Sequence, residues 1–291
     1  MALWPAWVSQ LDHPTSPLSL QTPLVQLAAS DEEAERMRQL AQARQGRGLQ
    51  FLDEPALPPA PTPWPRPGHG ALLSDQDGRV DPLGLLRALR RAFAAQGGEM
   101  QATTAQCLER SSAGGQGRWR VITANGDLLH VDAVVICSAL GSSQLIEPLG
   151  HHRPMEAVLG QVLELKRQDP QPSWENWPAV LTCGGINLIP HGDRQLWLGA
   201  TVEPGTVGDA SLVSAMKTLN NLAPAWLKDA ECIGQWQGLR ARPQDRPAPL
   251  LEHLEPGLIL ASGHYRNGVL LAPASAEWVG QQIDSSILTG S

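Results

Sequence analysis

The chain has 291 residues and a mass of 31.3 kDa, enough for one or two domains at roughly 150 residues each. Hydrophobic residues make up 42% and charged residues 18%, which excludes a wholly disordered chain. The formal net charge of -7 argues against nucleic acid or an anionic membrane surface as the main partner, and no apolar run reaches the ~18 residues of a membrane span.

The opening residues, Met1-Ala2-Leu3-Trp4-Pro5, show no basic segment followed by an apolar run, so a secretory signal is not expected there. Cys107, Cys137, Cys183 and Cys232 lie far apart without a Cys-x-x-Cys pair. That spacing speaks against a disulfide scaffold or a zinc ribbon, and the expectation is reduced, mostly buried thiols in a cytoplasmic protein. The adjacent His151 and His152 would point apart, and no metal site is expected.

Asp31 to Arg44 reads as the first clear helix. Ser30 and Glu33 have capping-box spacing, and Ala34, Met37, Leu40 and Ala41 share one face. Pro55 to Pro67 follows, dense in proline, and can be neither helix nor central strand. It reads as an extended surface connection or, alternatively, as a polyproline ligand. A second helix starts at Asp81-Pro82, with Leu85, Leu86, Leu89 and Phe93 as its expected buried stripe. Trp119 to Thr123 and Leu128 to Val131 then form a hairpin across Asn125-Gly126. Val134 to Cys137 is a fully apolar run, the pattern of a buried parallel strand. Beyond residue 150, Val158 to Leu165, Val180 to Ile189 and Gln195 to Val202 read as antiparallel strands, and Ser211 to Leu222 as a helix. A strand at Leu258 to Ala261, a glycine-flanked turn and a helix from about Ala274 to Ile283 close the chain. The fold class is mixed α/β with a separate antiparallel sheet.

Two segments carry candidate chemistry. In the first, a buried strand runs into Gly263-His264-Tyr265-Arg266-Asn267-Gly268 and then into a helix. Such a crossover aims free N–H groups and the helix dipole at an anion or a polarised carbonyl. A plain turn with a solvated arginine is the alternative. The second is Gly238-Leu239-Arg240, with Asp245 and Pro247 beyond. Arg240 is either a surface ion-pair partner or a carboxylate clamp, since a guanidinium binds a carboxylate bidentately. There is no G-x-S-x-G nucleophile elbow. The ten tryptophans are spread along the chain, as ordinary core and rim packing would have them.

These segments resemble the D-amino-acid oxidase-like FAD oxidoreductases, the glycine oxidase group in particular. GHYRNGVLLAP at 263–273 is similar to that family's C-terminal flavin turn, and GLRARPQDRP at 238–247 to its G-L-R-P-x-x-x-D-x-x-P segment. GRVDPLGLLRAL at 78–89, VDAVVICSALGSS at 131–143, LGQVLEL at 159–165 and LIPHGDRQLWLGATVE at 188–203 resemble further motifs in the same order. The family opens with a strand and a G-x-G-x-x-G turn that cradle the FAD pyrophosphate, and this sequence has neither.

The resemblance implies an FAD-binding, Rossmann-like remnant interleaved with an antiparallel-sheet substrate domain. Residues 79–150 and 255–291 would form the cofactor part, and 1–78 and 151–254 the substrate part. It implies oxidation of a small amino acid or amine by hydride transfer to flavin N5, with hydrolysis of the imine and oxygen as reoxidant in an oxidase. Arg240 and Arg266 would bind the substrate carboxylate. Gly141, Gly263, His264, Tyr265, Arg266, Asn267, Gly268, Val269 and Leu270 would contact the cofactor. No nucleic-acid or membrane partner is expected, and the oligomeric state stays open. The alternative is a catalytically inactive remnant or a binding module without FAD.

Overall fold

The computed structural model describes residues 2–56, 59–111, 117–168 and 174–288. The chain divides into two compact units: Met1–Arg90, Leu159–Glu203 and Val207–Gly238 form the first, and Arg91–Val158, Pro204–Thr206 and Leu239–Ser291 the second. Residues 79–90 therefore fall in the first unit and 239–254 in the second, where the sequence reading had each on the other side. No helix among the described residues is long and apolar enough to cross a membrane.

The first unit is built on a mixed sheet. Val180–Cys183 pairs antiparallel with Ile186–His191, which pairs with Gln195–Gly199. On its other edge Val180–Cys183 runs parallel to Leu24–Leu27. The segment expected as one strand from Val180 to Ile189 is thus two, because Gly184 and Gly185 both take positive φ at the turn. Alternation along the strands sends Leu163, Leu165, Leu196 and Leu198 into a core with Val25, Leu27, Leu181 and Leu188. Each such buried leucine contributes about 1.5–3 kcal/mol.

Helix Asp31–Ala43 covers a second apolar patch through Ala34 and Met37, against Ala28 and Leu72. Ser30 Oγ accepts from the Glu33 N–H at 3.2 Å, while Glu33 accepts from the Ala29 N–H at 2.9 Å. The first holds an orphan donor of the helix's opening turn, and the second ties the residue before the cap back to the helix.

Helix Pro82–Ala95 begins where expected, with Asp81 accepting from Leu83 and Gly84 N–H groups. Its expected stripe is not buried as a set. Leu85 and Ala88 face inward, but Leu86 is 53% and Phe93 49% exposed, because the inward face is centred on Gly84, Leu85 and Ala88. The helix expected over Ser211 to Leu222 stops at Lys217, since Leu219, Asn220 and Asn221 adopt positive φ.

The proline-dense segment also differs from a surface connection. Thr62 is fully buried and Trp64 3% exposed. Four of the tryptophans pack in and against the core, as expected: Trp64, Trp174, Trp177 and Trp226 cluster with ring centroids 5.1–6.3 Å apart. The thiols are less buried than expected, since Cys137 and Cys232 are exposed.

The second unit holds a sheet in which Leu258–Ser262 lies between Leu250–Glu255, antiparallel, and Val134–Ile136, parallel. Leu258, Ile259 and Leu260 are fully buried. Ile136 is buried too, but Val134 and Val135 are only partly so and Cys137 has left the strand. Gly257 makes the tight return before Leu258: its φ is +75°, and a Cβ there would sit 2.5 Å from the Asp132 carbonyl oxygen. The hairpin Trp119–Thr123 and Leu128–Val131 forms as expected and gains a third strand, Ala105–Arg110, that the sequence reading lacked. Its Trp119 is buried and donates from Nε1 to the Pro256 carbonyl at 3.1 Å, tying the hairpin to the central strand.

Candidate active site

The site lies in the second unit, where two adjacent parallel strands end. Strand Val134–Ile136 leads through Cys137 and Ser138 into a short turn, Ala139–Gly141, and the helix Ser142–Ile146. Strand Leu258–Ser262 leads through Gly263 to Asn267 and into the long helix Gly268–Leu288. In open α/β sheets, ligands collect at such carboxyl ends. The two turns are fastened to each other. Ser142 Oγ lies 2.9 Å from Ser262 Oγ, and Ser138 Oγ lies 3.2 Å from Ser142 Oγ. This serine link was not read from the sequence; the signal was the pair Ser138 and Ser142, one helical turn apart behind an apolar strand.

Gly263 and Tyr265 shape the second turn. Gly263 has φ +62°, and a Cβ would meet Pro243 Cγ at 2.9 Å, so only glycine passes there without displacement. Tyr265, the chain's one tyrosine, also has positive φ, at +53°. Its N–H donates to the Ala241 carbonyl at 3.2 Å, which brings the turn against the strand that carries Arg240 and Arg242.

Those two arginines have opposite surroundings. Arg242 pairs with the Glu156 carboxylate and lies over the Tyr265 ring, 5.8 Å from its centroid. The bond to Glu156 raises its pKa. Arg240 is partly buried; desolvation and the neighbouring charge of Arg266 both lower its pKa, while Tyr265 acts the other way. Two like charges held near one another at a turn favour an anion between them. The structure thus brings Arg240 and Arg266 together in one unit, whereas the sequence reading had them converge from two domains.

His264 is partly buried, and burial lowers its pKa. One ring nitrogen, Nε2, lies 2.8 Å from Oγ of Ser275, itself 7% exposed. The first-turn N–H groups of Gly268 and Val269 precede the ladder of the long helix, which begins with Leu271 donating to the Asn267 carbonyl at 2.9 Å. The side chains of Val269 and Leu270 are 51% and 42% exposed. Helix-start donors beside exposed apolar side chains suit a flat, apolar ring with a polar carbonyl edge. On the other turn, a Cβ on Gly141 would meet Ser138 Cβ at 3.7 Å, an ordinary contact, so the backbone there does not itself demand glycine. These features fit the ring end of a flavin. No group of three or more His, Cys, Asp or Glu among the described residues could hold a metal ion.

The chain is similar to known proteins over most of its length. The FAD dependent oxidoreductase family matches residues 1–282. A glycine oxidase from Geobacillus kaustophilus is 29% identical over 269 residues, covering 90% of this chain and 69% of the relative. A tRNA 5-methylaminomethyl-2-thiouridine biosynthesis bifunctional protein from Burkholderia pseudomallei is 28% identical over 90% of this chain and 43% of its own length. Among solved structures, glycine oxidase from Geobacillus kaustophilus superposes with a TM-score of 0.81 at 26% identity, over 98% of this chain and 77% of that one. With nearly its whole length matched, the chain belongs to the FAD dependent oxidoreductase family.

Proposed function

We infer that this chain carries the flavin-ring contacts and the substrate-carboxylate site of an FAD-dependent oxidoreductase acting on a small amino acid or amine. The observation that carries the reading is the approach of Arg240 and Arg266 at the turn where the strands end: the Tyr265 N–H donates to the Ala241 carbonyl at 3.2 Å, and the charge of Arg266 acts on Arg240. Names of relatives support it, since several similar proteins are glycine oxidases.

The chain's residues bind and orient. Arg240 and Arg266 grip the carboxylate, and the guanidinium fork fixes its plane. That fixes the direction of the Cα–H bond, and alignment of this kind supplies much of the rate advantage in hydride chemistry. Arg242 stays on Glu156 and does not compete for substrate. His264 stays neutral near pH 7 and adds no third cation. Backbone N–H groups of Gly268 and Val269 would hold the flavin's carbonyl edge. Bound flavin supplies the electron acceptor, leaving an imine for water to hydrolyse and passing electrons to oxygen in an oxidase.

One observation favours a second reading. Nowhere do these 291 residues contain G-x-G-x-x-G, so a binding module without catalysis is the competing reading. Anaerobic addition of glycine, other small amino acids and primary amines to the FAD-loaded protein separates the two. Loss of the oxidised flavin absorbance supports the oxidoreductase. A protein that binds these small molecules but takes up no FAD supports the binding module.

A further inference from the structure

Strand Glu231–Pro243 ends in a strict alternation. Ala241 and Pro243 are buried, while Arg240 and Arg242 are only partly so. Side chains two apart on a strand share a face, so both guanidinium groups leave on the same side, from Cα atoms roughly 6.5–7 Å apart. Tyr265 meets them there. Its N–H donates to the carbonyl of Ala241, the residue between the two arginines, at 3.2 Å. Its ring centroid lies 5.8 Å from the Arg242 guanidinium carbon, and its phenol acts on both Arg240 and Arg242. The charge of Arg266 also acts on Arg240, so three guanidinium groups gather at one turn. Glu156, near the start of strand Met155–Lys166, brings a carboxylate to them and pairs with Arg242. The main chain holds that strand start close: the Gln244 N–H donates to the Pro154 carbonyl at 3.2 Å. All of these residues belong to the second unit.

An arginine already paired with a carboxylate of its own chain offers little to a ligand anion, and the carboxylate repels one. Without the Glu156 charge, Arg240 and Arg242 would present two forks on one face, within reach of both ends of a short dicarboxylate. We propose that Glu156 is a specificity-determining residue: by occupying Arg242 it closes a second anion site beside Arg240 and Arg266, and so confines the site to substrates with one carboxylate. Amino acids with acidic side chains are thereby rejected. The inference rests on the carboxylate reading of Arg240 and Arg266, and adds to it the residue that refuses a second negative charge.

Calorimetric titration with glycolate and with racemic 2-hydroxysuccinate, a dicarboxylate hydroxy acid, tests this, with circular dichroism as the fold check. The intact chain should prefer glycolate. Glu156→Gln keeps the side chain's shape and loses its charge. It should bind hydroxysuccinate about tenfold or more tighter than the intact chain does, while glycolate gains no more than about threefold. Adding Arg242→Gln to that variant should abolish the gain, a dependence that a merely structural role of Glu156 would not produce. In the otherwise intact chain, Arg242→Gln leaves the Glu156 charge without its counterion, and hydroxysuccinate should lose at least about threefold more affinity than glycolate. That variant decides if Glu156→Gln does not fold, and equal losses for the two ligands would then overturn the inference. Glycolate binding to the intact chain and to Glu156→Gln, with no gain for hydroxysuccinate, overturns it and leaves the carboxylate site standing. So does a gain that survives Arg242→Gln. Absence of glycolate binding to the intact chain overturns both.

Discussion

Arg240 and Arg242 stand two residues apart on one strand, yet Arg242 is paired with Glu156 while Arg240 feels the like charge of Arg266. The sequence made Arg240 a candidate but could not show this contrast, because Glu156 is 86 positions away from Arg242. Around the turn, Gly263 is the most constrained position. With its φ of +62° and Pro243 Cγ 2.9 Å from a built Cβ, Gly263→Ala should cost about 1–3 kcal/mol in urea denaturation. A loss under about 0.5 kcal/mol would remove the argument that the turn needs glycine. His264 gives a pH signature. Burial lowers its folded pKa, so as pH falls through the ordinary imidazole range the unfolded chain takes up the proton first. Stability is therefore full at neutral pH, declines through that range, and stops declining below the folded value. Melting temperatures against pH should show this decline in the intact chain and not in His264→Gln.

Local patterns were legible where the chain's own neighbours decide the outcome. Ser30 and Glu33 capped the first helix, and the hairpin closed on Gly126, whose φ is +86°. The C-terminal strand–turn–helix also formed where its apolar run and glycines implied. Patterns failed where a distant partner decides. The stripe Leu85, Leu86, Leu89 and Phe93 has helical spacing, but which row turns inward depends on what packs against Gly84, Leu85 and Ala88. The proline segment gave no sign of the indoles that hold it, since Trp177 and Trp226 are 115 and 163 positions away from their partners. In the second unit the element most exposed to acid is strand Leu250–Glu255. Glu252 accepts from Arg153 Nε and Nη2 at 3.0, 2.9 and 2.6 Å, and its pKa is lowered chiefly by that arginine. Its contribution is present above the ordinary carboxylate range and is lost as pH falls through the lowered folded value. Glu252→Gln should cost about 1–2 kcal/mol at neutral pH after solvent screening, and should flatten the acid limb of the stability profile. An unchanged acid limb would assign the loss elsewhere.

At the scale of the whole molecule, the proposed ring and carboxylate contacts lie in the second unit, and the sequence contains no G-x-G-x-x-G turn. On the proposed reading the flavin ring would find donors and apolar contacts here, but within this sequence the pyrophosphate has no G-x-G-x-x-G cradle. FAD should accordingly bind this chain no more than about tenfold more tightly than riboflavin, the worth of one good charge-assisted contact. Fluorescence quenching measures both, and a far larger FAD preference would reveal a phosphate site elsewhere in these residues. The family assignment rests on a match over residues 1–282. Arg240 and Arg266 share one unit, so the carboxylate site can be tested on its own terms. The most direct test is calorimetric titration of the chain with glycolate, a carboxylate of substrate size, and with neutral glycolamide. Glycolate should bind saturably, weaken tenfold or more in Arg240→Gln and in Arg266→Gln, and recover only partly in Arg240→Lys, since a lysine cannot make the bidentate fork. Glycolamide should not distinguish the variants, and equal glycolate affinity in all four proteins would contradict the carboxylate site on which the functional reading stands.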